Sequence, residues 1–250
     1  MAYYVDAHSH VWTQDTASYP FNAGVTLENS GSFTTPSWTA EELLETAASV
    51  GVGRAVLIAH GGIYGWDNSY MIESARAYPD QLRVVGAIDV DTLSPSEVES
   101  AMRELLPQRV TGFRIERLCD KGDPAWLQSP GMDTMWRVAA ETGQAVCAMM
   151  HPEDIDNINA MCERFPDTTV VLDHMASVGE NVRFGGTGVV ERSDTEMLVG
   201  LARHPNVYVK ISAFYALGGG EAPYHDLIPL IERLLSACEP LARAFHRTST

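Results

Sequence analysis

The stretch VDAHSHVW, Val5 to Trp12, is the first instance of the pattern that decides the fold, in which a short apolar run ends in polar residues. Here the polar residues include two histidines. Side chains alternate between the two faces of an extended strand, so His8 and His10 are expected to point the same way, together with Asp6. Two imidazoles on one face can bind one metal ion. A short apolar run that ends in polar residues then recurs along the chain.

Short apolar runs alternate with amphipathic stretches that predict helices. The runs are AYYVDA, RAVLIA, LRVVGAIDV, VTGFRIE, QAVCAMM, TVVLDH and VYVKIS. Seven successive βα units with continuous apolar strands predict a parallel sheet covered by helices, either doubly wound or closed into a barrel. The doubly wound alternative lacks its usual phosphate loop, since neither G-x-G-x-x-G nor G-x-x-x-x-G-K-[ST] occurs. We therefore predict an α/β protein with an incomplete, TIM-like (β/α)8 barrel of seven βα units, as one domain over residues 1–250.

Three predicted helices begin with a capping box, in which a Ser or Thr is followed three residues later by Glu. The pairs are Thr39 with Glu42, Ser94 with Glu97 and Ser193 with Glu196. Two long segments without a sustained hydrophobic period, residues 13–37 and 176–192, follow predicted strand ends directly. They are either lids or binding loops over a site at those ends, or surface insertions without a role.

The charge balance argues against polyanionic partners. The chain has 17 Lys and Arg against 33 Asp and Glu, a formal charge of −16. That balance repels nucleic acid and anionic membranes, so the expected partner is a small molecule.

The cysteines predict reduced thiols in a cytosolic protein, because they lack C-x-x-C spacing and lie in or beside apolar segments. They are Cys119, Cys147, Cys162 and Cys238. The sequence shows no signal peptide and no apolar run of about 18 residues, so a cytoplasmic location is expected.

Polar residues collect at the predicted C-terminal ends of the strands, where barrel active sites lie. They are His8, His10, His60, Arg114, Glu116, His151, His174 and Ser212. Four of these histidines, at three strand ends, suit Zn²⁺, which lowers the pKa of a bound water to about 7 and polarises a carbonyl. Nucleophilic catalysis is a weaker alternative, because no G-x-S-x-G elbow occurs.

The fourth and seventh predicted strands carry further polar groups. Arg114, with Arg117 just beyond it, has the planar fork that binds a carboxylate, although a salt bridge to a neighbouring acid is an equal alternative. On strand seven, Lys210 and Ser212 share the inward face with Tyr208. We expect Lys210 to pair with an internal acid such as Asp6 or Asp173.

With VDAHSHVW, GFRIE, VVLDHMA and VYVKISAFYAL in order, the chain resembles the amidohydrolase superfamily. The resemblance is to the amidohydrolase-related group that contains aminocarboxymuconate-semialdehyde decarboxylase and pyrone-dicarboxylate lactonase, and it covers residues 1 to about 235. It implies a distorted (β/α)8 barrel that acts on small, often carboxylated compounds.

The resemblance also implies roles for residues. His8 and His10, with help from His151, would hold a divalent metal, most simply zinc, and His174 would orient or activate water or the substrate carbonyl. Arg114 would take part in catalysis by orienting a substrate carboxylate, and Arg117 and Ser212 complete the predicted substrate-binding set. Lactonase relatives use a similar layout without a metal.

The departure from the family pattern lies at the C-terminal end. Family members finish with an eighth strand of the type RLMWGSDWP, and its aspartate is absent from this chain. We therefore expect a chain that is truncated or frameshifted after about residue 235, or one that completes its barrel as a homo-oligomer, and we expect weak or no activity. The leading hypothesis is a metal-dependent hydrolase of the lactonase or amidohydrolase type. The alternatives are a decarboxylase of the same family and a non-catalytic barrel that binds small carboxylates.

Overall fold

The computed structural model describes residues 4–23, 25–26, 37–116 and 122–245, with side chains up to residue 237. The predicted substrate-binding residue Arg117, together with Cys119 and the side chain of Cys238, lies outside this description. Contacts between Cα atoms divide the chain into two compact units. The first unit comprises Met1–Ile115 and Pro130–Val146, and the second comprises Glu116–Ser129 and Cys147–Thr250.

Seven strands lie within the described residues, one in each predicted apolar run. They are β1 (Tyr4–Ser9), β2 (Val52–Ile58), β3 (Leu82–Gly86), β4 (Val110–Glu116), β5 (Ala145–Met149), β6 (Val170–Leu172) and β7 (Val207–Val209). Their order in the sheet is their order in the sequence. The pairs β1–β2, β2–β3, β3–β4 and β6–β7 are all parallel.

Helices connect the strands. They are α1 (Ala40–Ser49), α2 (Gly61–Tyr64), α3 (Ser69–Ala77), α4 (Pro95–Leu105), α5 (Pro130–Thr142), α6 (Ile155–Arg164), α7 (Arg192–Gly200) and α8 (Ile228–Phe245). Seven parallel strands in sequential order with helices between them form an incomplete (β/α)8 barrel fold, as the sequence predicts. After β7 the chain passes through a loop that contains two short 3-10 helices, and α8 then continues to Phe245. No described helix is long and apolar enough to cross a bilayer.

Two of the predicted capping boxes are present in the first unit. At the start of α1, the Glu42 amide donates to the Thr39 hydroxyl and the Thr39 amide donates to the Glu42 carboxylate. Ser94 and Glu97 make the same reciprocal pair at α4, with Pro95 as the first helical residue. These local signals define where the helices begin, because each satisfies backbone N–H groups that have no partner within the helix.

The prediction of a third capping box, at the start of α7, is wrong. The helix begins at Arg192 after Glu191, whose extended backbone makes it the N-cap, and no side chain caps the helix there. Ser193 is therefore already helical, and its hydroxyl donates to the Asp194 carboxylate instead. A Ser can cap only from the position that precedes the first turn.

Strands β6 and β7 are shorter than their apolar runs because the chain leaves the extended conformation early. Residues 174–177 after β6 all have positive φ, between 52° and 54°. This left-handed conformation costs about 1–2 kcal/mol for each residue that is not glycine. The turn is tied to the segment after β7, since the Met175 amide donates to the Lys210 carbonyl and the Lys210 amide donates to the Leu172 carbonyl.

The described cysteines agree with the sequence prediction. Cys147 and Cys162 are both buried thiols. Burial raises the pKa of the Cys162 thiol to about 12, so this group stays protonated.

Candidate active site

In the first unit, the end of β1 brings the two predicted metal ligands together. The Nε2 atoms of His8 and His10 lie 3.3 Å apart. The carboxylate of Asp6 fixes this strand end, because it accepts hydrogen bonds from the His8 amide and the Ser9 hydroxyl. The alternation of the strand and this local hydrogen bonding therefore direct both imidazoles to one place.

The environment of His10 favours a neutral imidazole. Its Nδ1 lies 2.9 Å from the Ile58 carbonyl oxygen at the end of β2, so Nδ1–H donates and Nε2 keeps its lone pair. Burial, followed by the positive charge of Arg114, holds the pKa of His10 well below its usual value, and His60 and His8 act in the same direction. A neutral ring is the form that binds metals.

This histidine pair fits a divalent metal. Two nitrogens that bind one tetrahedral zinc ion at about 2.0–2.1 Å lie about 3.3 Å from each other. The Nε2 atoms of His8 and His10 have this separation. The hydrogen bond from Nδ1 of His10 to a backbone carbonyl is also the usual support of a metal-binding histidine.

Two more residues lie beside the pair. The ring centroid of His60, two residues after β2, is 4.9 Å from that of His10. The sequence placed His60 at a strand end without assigning it a role. Arg114 in β4 is only 8% exposed, and its guanidinium donates a 3.0 Å hydrogen bond to the Ala59 carbonyl. This bond orients a buried cation that can bind a carboxylate.

In the second unit, the left-handed turn after β6 presents His174. Its Nδ1 lies 2.9 Å from the hydroxyl oxygen of Ser212. Both predicted residues therefore meet, although Ser212 follows β7 by three residues instead of belonging to it. Strained backbone of this kind is common at functional sites.

The expected ion pair of Lys210 is also present. Its Nζ lies 2.9 Å from a carboxylate oxygen of Asp173, which is completely buried. Of the two acids that the sequence offered, Asp6 and Asp173, the structure pairs Lys210 with Asp173. Asp173 lies directly before His174, so this ion pair is at the start of the turn.

His151 follows β5 by two residues and contacts an acid that the sequence analysis missed. Its Nδ1 lies 3.5 Å from a carboxylate oxygen of Glu180, and both side chains are largely buried. The His151 amide donates to the carboxylate of Asp154. The signal for Glu180 was the glycine-rich RFGGTG that follows it in the second long loop. That loop is predicted to be either a lid or binding loop over the strand ends or a surface insertion without a role, and the sequence assigns no role to Glu180.

Comparisons with known proteins agree with this fold. The amidohydrolase family model matches residues 5–240. The chain is 24% identical over 243 residues to an L-fucono-1,5-lactonase of Burkholderia ambifaria, which covers 96% of this chain and 76% of the relative.

Two solved structures have the same fold. One is a probable 2-pyrone-4,6-dicarboxylic acid hydrolase of Acinetobacter baumannii with citric acid bound, with a TM-score of 0.71 at 16% identity over 96% of this chain and 80% of that one. The other is an amidohydrolase of Burkholderia multivorans with bound zinc, with a TM-score of 0.71 at 16% identity over 96% and 81% of the two chains.

Proposed function

The chain belongs to the amidohydrolase family, whose model matches residues 5–240, and from this premise we propose that it is a metal-dependent hydrolase that opens the lactone of a small, carboxylated compound. The observation that carries the proposal is the separation of 3.3 Å between the Nε2 atoms of His8 and His10. A pair with this spacing, one ring of which is held neutral, suits a divalent metal.

In this proposal His8 and His10 hold the metal, and His151 contributes to the same shell. When bound, a divalent ion such as zinc supplies an activated water and polarises a carbonyl. Burial of the ring, with the buried cation Arg114 acting in the same direction, holds the pKa of His10 well below its usual value and favours the neutral form that binds a metal.

His174 acts on the substrate carbonyl. If the Ser212 hydroxyl donates to Nδ1 of His174, then Nε2 carries the proton and can donate it as a hydrogen bond to the carbonyl oxygen. Hydrolysis joins the water oxygen to the carbonyl carbon and breaks the bond to the ring oxygen, which leaves with a proton. A hydrogen bond to the carbonyl stabilises the negative charge that develops on its oxygen.

Arg114 orients the substrate through a carboxylate. Its guanidinium is buried and is already oriented by the Ala59 carbonyl, so little side-chain entropy is lost on binding. Arg117 and Ser212 would complete the substrate contacts.

The relatives support a lactone as the substrate class. One relative is named as an L-fucono-1,5-lactonase, and a structural neighbour is named as a probable dicarboxylic acid hydrolase that binds citric acid. A second neighbour holds zinc. These names support a carboxylated lactone and a zinc ion for this chain.

The experiment is a hydrolysis screen with the purified protein. Sugar-acid lactones and carboxylated lactones are incubated with zinc-loaded protein and with chelator-treated protein, and the products are identified by mass spectrometry. We expect a product heavier by one water, and we expect its formation to stop in chelator and to return with zinc. Loss of carbon dioxide would identify a decarboxylase instead, and binding without any product would identify a non-catalytic barrel.

A matched pair of variants tests the role of His174. His174→Asn should lower the hydrolysis rate by about 10²–10³-fold, the usual cost of removing one hydrogen-bond donor to the developing negative charge on a carbonyl oxygen. His204→Asn changes a histidine that precedes β7, at the opposite end of a strand, where its Nε2 contacts Asn159. This control should keep the wild-type rate. Equal rates for both variants would remove His174 from the mechanism.

A further inference from the structure

Glu180 is an acid with an unusual position in the second unit. It lies in the loop after β6, yet its side chain is only 14% exposed and its carboxylate faces the ring of His151, which is 19% exposed. The distance of 3.5 Å from Oε2 to Nδ1 is slightly longer than a hydrogen bond. Hydrogen bonds of this kind at active sites commonly shorten when a ligand binds.

Backbone hydrogen bonds hold Glu180 on both sides. Its amide donates to the Ser177 carbonyl, and its carbonyl accepts from the Gly188 amide. Glu180 also forms an antiparallel bridge with Leu217. Next to it, the Gly179 carbonyl accepts from the Gly218 amide at 2.7 Å. This loop therefore holds Glu180 much as a strand would.

The glycine-rich RFGGTG segment is shaped around Glu180. A Cβ atom on Gly186 would lie 1.9 Å from the carbonyl oxygen of Glu180 and 2.9 Å from its Cβ. Such a contact is impossible unless Glu180 moves, so only glycine allows the loop to fold back this closely. This close approach explains why residue 186 is glycine.

We propose that Glu180 is a positioning residue for His151. Its carboxylate accepts the Nδ1 proton of His151, which leaves the lone pair on Nε2 and fixes the ring plane. A carboxylate that binds the second nitrogen of a ligating histidine sets both its tautomer and its orientation. The link to metal binding rests on the proposed function, since it assumes that His151 serves the metal.

The first test observes the ring of His151 in the metal-free protein. With ¹⁵N-labelled histidine at fixed neutral pH, we expect wild-type His151 to be protonated on Nδ1 and unprotonated on Nε2. In Glu180→Gln, which keeps the shape but loses the charge, and in Glu180→Ala, the ring signals should move toward a mixture of the two tautomers. Unchanged ring signals in both variants would overturn the proposal.

The second test measures zinc affinity by competition with a chromophoric chelator. Glu180→Gln should weaken zinc binding by about 10–100-fold, the usual effect of removing an acid that supports a ligating histidine. The matched control is Glu191→Gln, which removes an exposed charge further along the same loop and should leave the affinity unchanged. Equal affinities of wild type and Glu180→Gln would refute the effect on the metal.

A variant of the glycine-rich segment separates the effect of the position of the Glu180 carboxylate from the effect of its charge. Gly186→Ala keeps the carboxylate but displaces Glu180, so it should change the His151 ring signals and weaken zinc binding in the same direction. Gly200→Ala at the end of α7, where an added Cβ meets no atom within 4 Å, is its control. If wild type binds no zinc while the ring signals respond to both Glu180 variants, the proposed metal fails and the positioning role stands.

Discussion

The two units present their histidines by different means. In the first unit, His8 and His10 are two residues apart at the end of β1, and their Nε2 atoms meet at 3.3 Å. In the second unit, His174 stands on a left-handed turn and meets Ser212, which is 38 residues away along the chain. The first arrangement follows from strand alternation, whereas the second depends on contacts between distant segments.

This difference shows which of the two histidine sites depends more on the stability of the surrounding structure. The histidine pair of the first unit requires the end of β1, where the register with β2 shifts between Asp6 and Ser9, and the carbonyl of Ile58. The turn of the second unit holds four consecutive residues at positive φ, which is unfavourable unless neighbouring groups compensate. Substitutions around the turn should therefore cost more stability than substitutions of comparable surface groups.

The largest expected effect concerns the buried ion pair before the turn. Lys210→Met leaves the Asp173 carboxylate buried without its cation, so the free energy of unfolding should fall by about 3–5 kcal/mol. Urea denaturation followed by circular dichroism measures it. The control is Arg233→Met, which breaks an exposed pair with Glu196 in the same unit and should cost less than about 1 kcal/mol. Similar losses in the two variants would contradict the importance of the buried pair.

A smaller effect is expected on zinc binding by His8 and His10. His10→Ala removes one of two converging nitrogens, so zinc affinity should fall by at least about 100-fold, which corresponds to about 2.7 kcal/mol. Zinc competition titration measures the change, and His204→Ala serves as the control. If His10→Ala binds zinc as tightly as wild type, the metal is held elsewhere.

In the first unit, a side chain that is distant in the sequence supports the end of β3. The Asn68 side chain donates to the Ala87 carbonyl and accepts from the Ala87 amide, just after β3. Asn68→Ala leaves both backbone groups buried without this partner and should cost about 1–3 kcal/mol in chemical denaturation. An unchanged free energy of unfolding would mean that the end of β3 needs no side-chain support. The contrast with the turn of the second unit would then be sharper.

The smallest expected effect has the opposite sign. Ala213 follows Ser212 with φ of 55°, a conformation that glycine adopts without steric cost. Ala213→Gly should therefore raise the free energy of unfolding by up to about 1 kcal/mol, because the relief of strain exceeds the added entropy of the unfolded chain. Ala55→Gly inside β2 should instead destabilise by about 0.5–1 kcal/mol. Thermal denaturation of both variants tests whether strain is confined to the turns.

Much of the fold could be predicted from local patterns. Each apolar run contains a strand, and the boxes at Thr39 and Ser94 mark helix starts correctly. The box at Ser193 failed because the helix had already begun at Arg192. The sequence alone could not distinguish a cap from an early helical position with the same spacing.

The site divides in the same way. The pairing of His8 with His10 follows from a spacing of two in a strand, so the sequence by itself determined it. The partners of the other histidines are distant in the chain: His151 faces Glu180, and His174 faces Ser212. Only the tertiary structure decided these contacts, because they depend on a left-handed turn and a glycine-rich loop. Their shapes come from hydrogen bonds between segments and not from any local periodicity.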